Sequence, residues 1–187
     1  MKEHFKRNMH QYRLLALLGA LLIVMGFLVP GKFLTVRNFR NMGFQMAEFG
    51  ILAIGMSAVI MTGGINLSIV NSAMLASIIS SFVMRAMYDG GNGMAELPCI
   101  AIGIVITFAV ALLCGLFNGF FVAYIGVIPI LVTLGSQTVF DGIALNITRG
   151  SSVSGFPKLF QQIGMGTFMG IPYTMLVYIV VILVAYL

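Results

Sequence analysis

Long stretches free of charged side chains alternate with short polar links along this chain of 187 residues. Residues 14–31, 49–84, 97–140 and 159–187 hold no Asp, Glu, Lys or Arg. Apolar positions fill these windows without alternating, which predicts helices. A β-barrel would alternate apolar and polar residues in segments of about ten. A transmembrane helix needs about 20 apolar residues. As a single helix, 49–84 would reach about 54 Å against a hydrocarbon core of about 30 Å, so it must break. Thr62-Gly63-Gly64-Ile65-Asn66-Leu67-Ser68 supplies the break, because a Gly pair followed by Asn interrupts a helix. Ser68 is placed to cap the helix that follows. Likewise 97–140 would reach about 66 Å, and it divides at Gly126-Val127-Ile128-Pro129.

Six spans result, at 13–30, 43–61, 68–87, 98–124, 129–147 and 171–187. The predicted fold is an all-α polytopic transmembrane bundle with broken helices. The link 148–170 reads as a Gly-, Ser- and Pro-rich loop with a short surface helix. Asp89-Gly90-Gly91-Asn92-Gly93 reads as an aqueous turn. The last apolar run reaches Leu187 with no charge, cap or aqueous flank, so the sequence reads as the N-terminal part of a longer chain. Lys2, Lys6, Arg7 and Arg13 precede or open the first span, while Lys32, Arg37 and Arg40 follow it. That places the N-terminus inside. The sum over six spans runs the other way, with residues 32, 37, 40, 85, 149 and 158 outside against four basic residues inside.

Composition agrees with the pattern. Apolar residues are 60% of the chain and charged residues 8%, whereas soluble domains carry about 25% charged residues to face water. The formal charge of +5 is concentrated beside apolar runs, where it signals topology. No basic surface interleaved with aromatics follows, which excludes nucleic acid. Residues 14–30 are too long for a signal peptide core and no A-x-A site follows, so they form the first span. Cys99 and Cys114 lie in an apolar window without metal spacing and read as buried thiols.

Polar residues inside lipid must face a bundle interior or a cavity. Those near or within spans are Gln45, Glu48, Asn66, Asn71, Asn118, Gln137, Asp141 and Asn146. Asn66, Asn118, Gln137 and Asn146 are the candidates for a translocation path. Thr62, Gly63, Gly64, Gly126 and Pro129 are its flexible breaks. Each of these also fits a packing role alone. Small residues recur every fourth position as Ala73, Ser77 and Ser81, and as Ala111, Gly115, Gly119 and Ala123. Such ladders pack helices closely, within one bundle or between subunits. Glu48 and Asp141 leave open an ion- or proton-coupled carrier, and a scaffold that transports nothing is a further alternative. No G-x-S-x-G, H-E-x-x-H or Cys/His set occurs, which argues against an enzyme. A phosphate-binding G-x-x-x-x-G-K-[ST] is absent too, so any ATPase lies on another chain.

Two segments together resemble a known family. One runs Gly55-Met56-Ser57-Ala58-Val59-Ile60-Met61-Thr62-Gly63-Gly64-Ile65-Asn66-Leu67-Ser68. The other runs Gly115-Leu116-Phe117-Asn118-Gly119-Phe120-Phe121-Val122-Ala123-Tyr124 and continues through Ile128-Pro129-Ile130-Leu131-Val132-Thr133-Leu134-Gly135. Both are similar to the permease subunit of bacterial ABC importers for ribose, xylose, galactose and related monosaccharides. Asn38-Phe39-Arg40-Asn41 fits as well, so the resemblance covers about 36–150. It implies one permease domain over 1–187 in the bacterial cytoplasmic membrane, surrounded by lipid. The implied partners are a second copy, a cytoplasmic ATP-binding subunit and an extracytoplasmic sugar-binding protein. No cofactor is implied on this chain, since ATP is bound by the partner subunit. The segment that docks on the ATPase lies in the family's second half and would fall after Leu187. The sequence departs from the family at Asn66, where Asp is frequent, so any role there rests on hydrogen bonding. It departs also near Asp141, where a basic residue is frequent, and at Ile128-Pro129, commonly two prolines.

Overall fold

The computed structural model describes residues 9–89, 93–168 and 170–186. The basic residues Lys2, Lys6 and Arg7, the Gly90, Gly91 and Asn92 part of the polar turn, and Leu187 lie outside the described residues. Helices α1 (Met9–Leu28), α2 (Pro30–Phe33), α3 (Val36–Met61), α4 (Ile69–Tyr88), α5 (Glu96–Gly119) and α6 (Pro129–Thr148) follow in order. A π turn over Phe120–Tyr124 prolongs α5. After α6 come a short helix α7 (Lys158–Met165), the paired strands β1 (Thr167–Phe168) and β2 (Ile171–Pro172), and α8 (Tyr173–Tyr186).

Each of the six expected spans falls on a helix, α1, α3, α4, α5, α6 and α8 in turn, and both expected breaks interrupt the chain. Four of the helices are long and apolar enough to cross a membrane, and the apolar stretches Tyr12–Leu28 and Tyr173–Tyr186 are shorter. Helix α3 starts well before the expected residue 43, because the polar residues ahead of it are helical too. Thr35 starts it: the Thr35 hydroxyl accepts the Asn38 N–H at 3.2 Å, which satisfies one of the donors that a helix N-terminus leaves unpaired. The two-residue antiparallel pair Thr167–Pro172 and Phe168–Ile171 was not expected from the sequence.

The chain forms two compact units, Met1–Gln45 and Met46–Leu187. The first contains α1, α2 and the start of α3. At its elbow the Asn38 amide donates to the Phe33 carbonyl at 2.9 Å. In the second unit α4 packs on both α5 and α6. The core cluster is Leu75, Cys114, Phe140 and Ala144, with Ile78, Ile79 and Val110 against it. Small residues decide how closely α4 and α5 approach. The Ser80 hydroxyl donates to the Gly103 carbonyl at 2.6 Å, and the Cys99 thiol donates to the Met84 carbonyl at 3.3 Å. A Cβ at Gly103 would overlap Met84. A Cβ at Gly50 of α3 would overlap the ring of Tyr178 on α8.

The small-residue ladders read from the sequence lie beside these contacts. Ala73, Ser77, Ala111, Gly115, Gly119 and Ala123 are exposed and Ser81 is half-buried, whereas Ala76, Ser80, Cys99, Gly103, Cys114 and Asn118 are buried. At the end of the bundle remote from the breaks, Glu96 ties three helices. It accepts the Tyr88 hydroxyl at 3.1 Å and the Leu159 N–H at 3.0 Å. Its own place in the first turn of α5 sets a negative charge against the positive end of that helix.

Candidate functional site

The first break is built by the hydrogen bonds that close α3. The Gly63 N–H donates to the Ile60 carbonyl at 2.9 Å, and the Gly64 N–H to that of Val59 at 3.3 Å. This is the Schellman pairing, and it holds Gly63 in the left-handed region at φ 82°, where only glycine is unstrained. Thr62 adds its hydroxyl to the Val59 carbonyl at 2.7 Å. The chain then passes through Gly64, Ile65 and Asn66 without regular structure.

Asn66 turns it back into a helix. Its Oδ1 accepts both the N–H of Ser68 at 3.0 Å and the Ser68 hydroxyl at 2.8 Å. Ser68 is fully buried, and its oxygen accepts the Asn118 Nδ2 at 2.7 Å. This corrects one expectation. Ser68 does stand at the N-cap of α4, but its side chain makes no capping bond. A hydroxyl oxygen capping α4 would have to face the first-turn N–H groups. Here it is turned to Asn118, and its single proton is taken by Asn66.

The second break comes up against the first. Phe120–Tyr124 leaves the α-helical register, with Ile125 N–H on the Phe120 carbonyl at 3.2 Å, and Gly126 adopts φ 81°. Pro129 then opens α6, at a position where its missing N–H is no loss. The Thr133 hydroxyl lies within hydrogen-bond reach of the Pro129 carbonyl at 2.9 Å and of the Ile65 carbonyl at 3.2 Å. A Cβ at Gly64 would stand 3.9 Å from that of Pro129. The junction of the two breaks is thus lined by Asn66, Ser68, Asn118 and Thr133, which are amides and hydroxyls without a charge. Asn118 is only 7% exposed, and its Oδ1 is buried without a hydrogen-bond partner. These groups donate and accept hydrogen bonds, and no titratable side chain stands among the four.

The other sequence candidates lie elsewhere. Gln137 is half-buried and Asn146 exposed. Nine residues apart on α6, they face opposite sides of the helix at about 100° per residue. Asp141 is half-buried and lines a separate cleft of about 440 Å³ with Ser81, Thr148, Ser151, Ser152 and Phe156. Glu48 is exposed on α3. Among the described residues no group of three His, Cys, Asp or Glu side chains is placed to hold a metal.

A family profile described as the branched-chain amino acid transport system permease component matches residues 38–187. The chain belongs to this permease family. Its span of match includes both breaks and every residue of their junction. Among curated relatives, the permease is 29% identical over 160 residues to the galactose/methyl galactoside import permease MglC of Haemophilus influenzae, covering 82% of this chain and 48% of that one. It is 33% identical over 157 residues to the xylose transport system permease XylH of Escherichia coli, covering 84% and 38%. It is 32% identical over 153 residues to the autoinducer 2 import system permease LsrD of Yersinia enterocolitica, covering 77% and 43%. The permease therefore spans about half or less of the length of these relatives. No solved structure matches it. With these relatives and its apolar helices, the permease is a multi-pass protein of the bacterial cytoplasmic membrane.

Reading the sequence singled out Asn66 and Asn118 but missed what joins them. In the sequence Ser68 reads as a cap and as the end of one motif, and Thr133 only as part of the other. Thr133 did carry a signal: one turn after Pro129, its hydroxyl falls beside the carbonyl at i−4, at the mouth of the break.

Proposed function

We propose that this chain is the membrane-spanning permease subunit of an ATP-binding cassette importer, which passes a monosaccharide handed over by an extracytoplasmic binding protein. The observation that carries the reading is the uncharged polar junction of the two helix breaks. Non-helical backbone at membrane depth is tolerated where it is buried in protein or lines a cavity, and transporters place their solute sites there. Separation of the breaks would open Asn66, Asn118 and the Ile65 carbonyl to a passing solute. Neutral amides and hydroxyls suit a neutral polyhydroxylated solute. An amino acid would bring two charges to a site with no counter-charge, which is costly in lipid. The relatives named for galactose and xylose import support the same class.

The rest of the system follows from that role. A second copy of the chain would complete the pore, and a cytoplasmic partner would bind and hydrolyse ATP. The chain acts as one permease domain and performs no covalent chemistry. Gln137 and Asn146 join the path only where another subunit meets α6.

Vesicles containing the full-length protein, its ATP-binding subunit and its binding protein should accumulate labelled xylose or galactose only with ATP. Accumulation without ATP, driven by a pH gradient, would sink the importer reading and favour a carrier using Glu48 or Asp141. Uptake of leucine in place of either sugar would move the substrate to the class named in the family's description.

A further inference from the structure

The first unit carries two adjoining cavities that the transport role does not use. One is an apolar groove of about 480 Å³ between α1 and the start of α3, lined by Leu22, Gly26, Phe27, Phe33, Phe39 and Met42 among others. The second is a polar cleft of about 470 Å³ lined by Lys32, Thr35, Arg37 and Asn41. Asn38 lines both. It is held as the wall between them by its amide bond to the Phe33 carbonyl at 2.9 Å. The pair is an elongated site, apolar along one arm and basic at the other.

Charge and position identify the occupant. No Asp or Glu occurs between Arg7 and Glu48, so Lys32 and Arg37 have no acid near them in sequence, and Arg40 adds a third positive charge. The cleft therefore calls for an anion. The apolar part of α1 is Tyr12–Leu28, about 25 Å, close to the hydrocarbon thickness. The elbow that follows it accordingly emerges at the level of the lipid headgroups, with the apolar groove running back along α1 into the acyl region. Phe27 is 84% exposed, and Leu34 and Phe39 are exposed as well. A free anion would fill the cleft alone; an anionic amphiphile fills both arms.

We propose that this elbow is a binding site for an anionic phospholipid of the bilayer, with its phosphate at Lys32 and Arg37 and an acyl chain along the groove past Gly26. The test uses the full-length protein in phosphatidylcholine nanodiscs with a minor fraction of spin-labelled phosphatidylglycerol. The immobilised fraction should exceed that of spin-labelled phosphatidylcholine. Each basic residue near a membrane surface contributes roughly fivefold, so the double substitution Lys32→Gln and Arg37→Gln should lower the preference by on the order of tenfold or more. A Cβ at Gly26 meets nothing within 4 Å, and Gly26 lines the groove, so Gly26→Leu puts its side chain in the space of the acyl chain. It should displace the immobilised chain while the protein keeps its melting temperature. Equal immobilisation of the two lipids would overturn the proposal. So would saturation of the site by glycerol phosphate alone, which would mark a free-anion site. Loss of subunit assembly in Gly26→Leu with lipid immobilisation unchanged would mark a protein interface instead, and would overturn it too.

Discussion

At the scale of single residues, Ser68 joins the first break to α5. Its hydroxyl gives one bond to Asn66 and receives one from Asn118. Ser68→Ala leaves the Asn118 amide buried without a partner, which costs about 1–3 kcal/mol. Asn118→Ala removes the donor together with an acceptor that already lacks a partner, so it should cost less. The double variant should lose clearly less than the sum of the two, with a coupling of about 0.5–3 kcal/mol. Unfolding in detergent micelles measures the cycle, and strictly additive losses would remove the link. Asn66 and Asn118 were legible in the sequence because an amide inside an apolar run is conspicuous. Their connection was not, because 50 residues separate Ser68 from Asn118 and no local pattern records that distance. Asn66 also shows which of its atoms is engaged here, the Oδ1. Its part is played by an oxygen that accepts hydrogen bonds, which an Asp would supply equally.

At the scale of elements, the bilayer made the sequence readable. Its thickness forced the breaks, and the breaks lie at Thr62–Ser68 and Gly126–Pro129 as expected. Which face of each helix packs inward was far less legible. A helix that is apolar all round carries no amphipathic signal; small residues at four-residue spacing run along two adjacent faces of α4, and along α5 one such series from Cys99 to Ala123 is buried only at Cys99 and Gly103. The structure uses Ala76, Ser80, Cys99 and Gly103 and leaves Gly115 in open space. The two kinds of glycine should therefore respond differently. Gly50→Ala drives a methyl group into the Tyr178 ring and should destabilise by about 1–3 kcal/mol. Gly115→Ala meets nothing and gains helix propensity, by up to about 1 kcal/mol. Melting temperatures of the two variants, compared in the same detergent, check the difference. An equal loss in both would place Gly115 against a neighbour in the assembled protein.

At the scale of the whole molecule, the transport reading requires that the two breaks part. A Cβ at Gly64 lies 3.9 Å from that of Pro129, within the range of about 3.5–4.5 Å that a disulfide spans. Gly64→Cys with Pro129→Cys should therefore cross-link on oxidation, read as a faster-migrating band that a reductant abolishes. The cross-linked protein should lose uptake and recover it on reduction. Full uptake with the link closed would show that the junction stays shut during transport. The same junction also bears on how the protein is made. Ser68 waits for Asn118, 50 residues further along, and the Ile65 carbonyl waits for Thr133, 68 residues further. At synthesis rates of about 5–20 residues per second, that delay lasts roughly 3–14 s. During it the nascent α3 and α4 carry an unpartnered polar bend, so the insertion machinery must shelter this bend until the helices that complete it emerge from the ribosome.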